Sequence, residues 1–126
     1  MNLTKEKIAE FVGGDMQIQC RICGYLYRGP IKSATIENNM LLVKFAWLAK
    51  REGYPSLPIK WKKEENFASL GFVRNLKFYD ISEIGNGRIC LYNPTRDGLL
   101  TLFPANDNLD PAKVKGLKHS IERVPA

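Results

Sequence analysis

Histidine occurs once, at position 119, and cysteine three times, at Cys20, Cys23 and Cys90, in a chain of 126 residues. A Ser-His-Asp or Cys-His catalytic site would therefore have a single imidazole to draw on, close to the C-terminus. A tetrahedral structural zinc site, which wants four nitrogen or sulfur ligands, would consume every thiol and that imidazole together. An odd number of cysteines with no secretion signal beside them predicts reduced thiols and a cytoplasmic location. Long apolar runs are also missing: none approaches the roughly 20 residues a membrane helix needs. Met1–Phe11 carries Glu6 and Glu10 among its lysines where a signal peptide would be apolar. Gly13-Gly14 and Gly85-Asn86-Gly87 are too short and wrongly placed to be a phosphate-binding loop or a dinucleotide fingerprint. These absences predict a protein that is not an enzyme, holds no cofactor or metal and does not enter a membrane.

Acidic residues are scarce where basic ones gather. The chain holds 19 Lys and Arg against 13 Asp and Glu, a formal net charge of +6. Between Met16 and Phe78 the count is eleven basic and four acidic residues, or +7, and the rest of the chain carries eight and nine, or −1. All of the excess positive charge thus belongs to the middle of the chain. A field of that sign favours anionic partners such as nucleic acid, nucleotide, phospholipid or an acidic protein surface. A composition with 44% hydrophobic and 25% charged residues is ordinary for a globular protein and argues against wholesale disorder. The length suits a single domain.

The middle is also where a period of two is clearest. Met16, Ile18, Cys20, Ile22 and Leu26 recur at even positions, and Leu41, Val43, Phe45 and Trp47 at odd ones. Alternation of that kind places side chains on one face of a sheet. The pattern predicts one long strand over Met16–Tyr27, bent or bulged at Gly24. A turn at Gly29-Pro30 leads to a second strand over Ile31–Glu37, and Asn38-Asn39 makes a two-residue hairpin turn. Met40–Ala49 is apolar on both faces, as in a central strand. A buried helix capped by Asn39, with Lys50 and Arg51 in its last turn and Gly53 after it, fits the same residues. The hairpin signal favours the strand.

Shorter strands are predicted at Ile59–Lys63, Lys77–Ser82, Arg88–Tyr92 and Leu99–Phe103, the middle two joined by Gly85-Asn86-Gly87. Thr4 can cap a helix running through Val12, ended by Gly13-Gly14. Asp110 followed by Pro111, with Val114, Leu117 and Ile121 at helical spacing, predicts a C-terminal amphipathic helix weakened by Gly116. The fold class read from these elements is mostly β. It is a small, partly open β-barrel of the SH3-like or OB-like kind over residues 16–104, with an N-terminal helix over 1–13 and a helical tail over 105–126.

Three motifs bear on function. Cys20-x-x-Cys23-Gly24-Tyr25, with Tyr27 two residues on, resembles one metal-binding knuckle of rubredoxin and zinc-ribbon proteins, and Leu57-Pro58-Ile59-Lys60-Trp61 is similar to the segment before rubredoxin's second knuckle. The resemblance implies a thiolate metal site, but Lys62, Lys63 and Glu64 stand where the second cysteine pair would be. On one extended strand, Cys20 and Cys23 would also face opposite sides. Asp80-x-Ser82-x-x-Gly85 resembles the short signature of PilZ domains and implies cyclic dinucleotide binding. The upstream Arg-x-x-x-Arg of that family is lacking, since Phe78 follows Arg74 and Pro55 follows Arg51 at that spacing.

The third motif is the interleaving of basic and aromatic residues: Arg21, Tyr25, Tyr27 and Arg28 in one stretch, and Lys60, Trp61, Lys62 and Lys63 in another. Rings on a positively charged sheet are what a single-stranded nucleic acid needs, because rings stack on bases while cations neutralise phosphates. These eight residues are the candidate site for single-stranded nucleic acid or RNA binding. The alternative expectation is a non-catalytic interaction module that self-associates or binds a protein partner through the two-faced third strand and the terminal helix.

Overall fold

In a computed structural model of this chain, which describes residues 1–20, 24–52, 60–64, 70–94 and 98–117, Thr4 caps a short helix, α1 (Lys5–Ala9). The Thr4 side-chain oxygen accepts the Lys7 N–H at 3.1 Å. The helix stops short of the expected end at Val12; beyond Ala9 the chain continues as turns as far as Gly13, which has a φ of 90°. Leu3, Ile8 and Phe11 are nonetheless buried.

The long first strand is replaced by a hairpin. β1 (Asp15–Cys20) and β2 (Tyr25–Glu37) pair antiparallel, with Cys20 opposite Tyr25 and Ile18 opposite Tyr27. The Gly24 N–H donates to the Cys20 carbonyl at 2.9 Å, and Gly24 has a φ of 75°, so glycine turns the chain here where a bulge was expected. A four-residue connection reverses the parity of the side chains. Leu26 therefore lies opposite Gln19, on the other face of the sheet from Ile18 and Tyr27.

Gly29-Pro30 does not turn the chain; it lies inside β2, where that strand changes partners. Tyr25–Pro30 pairs with β1, while Ile31–Glu37 pairs with β3 (Met40–Phe45) across a register shift between Ile31 and Ser33. A Cβ at Gly29 would overlap the Trp47 carbonyl oxygen, which explains glycine at that point. The Asn38-Asn39 turn forms as expected, with φ angles of 51° and 64°. The ambiguous Met40–Ala49 stretch is extended: β3 ends at Phe45, residues 46–48 make a bend with Trp47 buried, and β4 (Ala49–Glu52) resumes the strand.

β5 (Lys60–Lys63) pairs antiparallel with β4, and β6 (Gly71–Asn75) pairs with β3. β7 (Asp80–Gly85), β8 (Arg88–Asn93) and β9 (Gly98–Phe103) follow as a meander, with β9 returning to pair with β1. The Gly85-Asn86-Gly87 hairpin is as read from the sequence, and all three residues have positive φ.

The sheet is open and does not form the partly open barrel expected from the sequence. Starting from β10 (Val114–Lys115), its order is β10-β5-β4-β2-β1-β9-β8-β7, with β3 and β6 branching from the second half of β2, and no described pairing joins the two ends. The C-terminal helix is also not seen among the described residues. Asp110 does cap, accepting the Ala112 N–H at 2.9 Å, but it caps one 3₁₀ turn (Pro111–Lys113). The chain then enters β10 (Val114–Lys115), parallel to β5, and Gly116 follows at a φ of 85°. Pairing to β5 buries Val114 against Trp61, and the turn at Gly116 lets Leu117 bury as well. A helix-like spacing of apolar residues is thus satisfied without a helix. Ile121 and His119 lie outside the described residues.

Apolar side chains collect in two clusters. The larger joins Leu3, Ile8 and Phe11 to Met16, Ile31, Leu41, Val43, Phe45, Ile89, Leu91, Leu100 and Leu102, with Ile18 and Tyr27 at its margin. The smaller contains Trp47, Ala49, Val114 and Leu117, with Ala46, Trp61 and Leu109 packed against it. β4 and β5 carry the smaller cluster on one face through Ala49 and Trp61, and expose Lys60 and Lys62 on the other. Among the described residues, no helix is long and apolar enough to cross a membrane.

Candidate nucleic-acid interface

The period of two along β5 decides which candidate residues share a face. Lys60 and Lys62 are exposed, while Trp61 and Lys63 are half-buried on the other side. Lys62 lies opposite Lys50 on β4, and Lys50 lies opposite Tyr27 on β2. Tyr25, two residues from Tyr27, shares this face and is 46% exposed. The two tyrosine rings lie 5.9 Å apart at an interplanar angle of 39°. The Lys50 ammonium stands 4.7 Å from the Tyr25 ring centre, within cation–π range. On the far side of β5, Lys115 of β10 lies opposite Lys62 and is exposed. One face of four adjacent strands therefore carries an exposed ring, a half-buried ring and four lysines.

Two carboxylates border this surface. Glu52 pairs with Lys60 in the β4–β5 register. Glu64, whose N–H donates to the Leu48 carbonyl at 2.8 Å, lies close enough to act on Tyr27. Burial raises the Tyr27 pKa first, with Glu64 and then Tyr25 adding to it, so the ring is a neutral phenol at physiological pH.

Four of the eight predicted residues come together here: Tyr25, Tyr27, Lys60 and Lys62. Trp61 and Lys63 occupy the opposite face, where Trp61 packs on the smaller apolar cluster. Arg21 lies outside the described residues, as does Cys23 of the knuckle-like motif. With β1 ending at Cys20, the argument from one extended strand does not apply to that cysteine pair. Among the described residues there is no group of three or more His, Cys, Asp or Glu side chains that could hold a metal ion. Burial raises the Cys90 thiol pKa, which works against thiolate formation there.

Arg28 is also on the opposite face, committed to internal partners. Its Nε donates to Asp15 Oδ2 at 2.9 Å and its Nη2 donates to the Asp107 carbonyl at 2.6 Å, with the guanidinium 3.8 Å over the Phe103 ring. Arg88 approaches the same ring at 4.8 Å and donates from Nε to Asp107 Oδ2 at 2.6 Å. Asp15 is 1% exposed and also accepts the Leu109 N–H at 2.7 Å. Burial raises its pKa, while the Leu109 N–H and Arg28 oppose that rise. These bonds fasten residues 107–109 to the sheet just before β10.

Lys50 and Lys115 escape the sequence reading. The sequence pattern puts Lys50 just beyond a strand that ends at Ala49, or in the last turn of a helix, and Lys115 on a helix. Neither position suggests a neighbour of Tyr27, because both neighbour relations arise from strand pairing. Of the PilZ-like motif, Asp80 and Ser82 are exposed on β7, at one end of the sheet. Arg74 turns back onto its own strand, its guanidinium 4.1 Å over the Phe72 ring and bonded to the Val73 carbonyl. Elsewhere, a shallow, mainly apolar groove of about 470 Å³ crosses β2, β3 and β6, lined by Thr35, Leu42, Phe72, Val73 and Lys44. No protein-family model, curated protein or solved structure matches this chain.

Proposed function

We propose that the protein binds single-stranded nucleic acid, DNA or RNA, on the face that carries Tyr25, Tyr27, Lys50, Lys60 and Lys62. The reading rests above all on the exposed Tyr25 ring, with Tyr27 5.9 Å away and Lys50 over it, beside exposed lysines on adjacent strands. A flat ring offers a stacking surface that any base can use, and the ammonium groups supply the sequence-independent attraction for phosphate. The +7 of residues 16–78 adds long-range attraction for a polyanion. Nothing in this chemistry requires bond making, so the role is binding rather than catalysis.

Fluorescence anisotropy with labelled oligonucleotides of mixed sequence at low salt tests the reading. Binding in the range of non-specific complexes, a dissociation constant of about 1–100 µM, is expected. Tyr25→Ala should weaken it by about 1–3 kcal/mol, the contribution of one stacked base. The absence of any signal at 100 µM protein would remove the proposal. A defined oligomer by light scattering, together with no oligonucleotide affinity, would support the assembly reading, with the groove across β2, β3 and β6 as its natural surface.

A further inference from the structure

The strand registers order the site more closely than a patch. Tyr27 faces Lys50, Lys50 faces Lys62, and Lys62 faces Lys115, so these four side chains form one row across β2, β4, β5 and β10. Neighbouring strands are about 4.8 Å apart, so the three lysines extend over roughly 10 Å and the whole row over roughly 14 Å. The row itself contains no carboxylate. Glu52 stands on one side of it, opposite Lys60, and Glu64 on the other, where its backbone N–H donates to the Leu48 carbonyl. A polyanion lying along the row meets cations throughout, whereas one displaced to either side meets a carboxylate.

Resting on the nucleic-acid reading, we infer that the bound strand runs across the sheet, perpendicular to the β-strands. It passes from the Tyr25 and Tyr27 rings over Lys50 and Lys62 to Lys115, which makes β10 the last strand of the site. Stacked nucleotides advance about 3.4 Å each along one strand, so the lysine row is matched by about three phosphates. Lys115 can serve as a fixed contact because the chain before it is fastened. Leu109 bonds to Asp15, the Asp107 carbonyl to Arg28, and the Asn108 side chain to the Gly13 carbonyl at 2.9 Å, while Val114 is buried.

The test is the salt dependence of oligothymidylate binding by anisotropy, for chains of two to ten nucleotides. Three neutralised phosphates on a single strand give a slope of log K against log[salt] of about −2. Lys62→Ala and Lys115→Ala should each make the slope shallower by about 0.7. Lys44→Ala, which removes an exposed charge from the β3 branch, should leave it unchanged. Tyr25→Ala should lower affinity without moving the slope. Binding that persists while Lys115→Ala keeps the slope of the natural chain overturns the path and leaves the nucleic-acid reading standing. Equal slope losses in Lys44→Ala and Lys115→Ala overturn it too, because they mean diffuse attraction. No binding by the natural chain removes the reading and the path together.

Discussion

At Asp15, burial and partnership act against each other. Its carboxylate sits 1% exposed between the Arg28 guanidinium and the Leu109 N–H. Burial outweighs both partners, so the folded pKa lies above the ordinary carboxylate value. The folded protein then holds the proton more tightly than the unfolded chain. The stability this gives is fully present below the unfolded pKa and is lost as pH rises through the folded one. Asp15→Asn cannot titrate; its amide oxygen can still accept from Arg28 and the Leu109 N–H, which both bond to Oδ2, but an NH2 group then replaces the buried Oδ1, at a cost of about 1–3 kcal/mol. Its deficit against the natural chain should be greatest in acid and should narrow toward neutrality. Urea unfolding of both proteins at about pH 3 and about pH 7 would show this. A deficit that widens toward neutrality would mean that Arg28 and Leu109 prevail over burial.

At the scale of elements, the close approach of β2 to the bend after β3 sets a second expectation. The Trp47 carbonyl occupies the space where a Cβ at position 29 would lie, and the obstacle is backbone, which cannot swing aside. Gly29→Ala should destabilise the fold by about 1–3 kcal/mol, the usual cost of forcing a carbon into filled space. A thermal midpoint equal to that of the natural chain would show that the two segments separate freely.

The same elements show what sequence can convey. The Asn38-Asn39 and Gly85-Asn86-Gly87 hairpins were legible because each depends on residues that tolerate positive φ, a property carried locally. The β1–β2 hairpin was not. Apolar residues run on through Met16, Ile18, Cys20 and Leu26, and a reversal at Cys20–Gly24 leaves that alternation looking unbroken while moving Leu26 to the opposite face. Asp110-Pro111 announced a capped turn correctly, but one 3₁₀ turn and a helix begin with the same residues. The candidate site divided in the same way. Tyr25, Tyr27, Lys60 and Lys62 share a face because β2 and β5 keep their alternation. Arg28 and Trp61 follow the same alternation to the other side, where Asp15 and the smaller apolar cluster claim them.

For the whole molecule, the decisive relation is between distant parts of the chain. Sheet closure was not legible from the sequence, because it depends on whether β7 and β10 meet, and no local pattern encodes that. β1 sits between β2, its immediate successor, and β9, which begins at Gly98. During synthesis at about 5–20 residues per second, the roughly eighty residues separating Cys20 from Gly98 take about 4–16 s to emerge from the ribosome. For that interval one side of the nascent β1–β2 hairpin has no partner and is open to wrong pairing. Chains stalled before Gly98 should therefore be cut by protease within β1, and chains released after Phe103 should be resistant. Protection of the shorter chains would mean that another segment shelters that edge until β9 arrives.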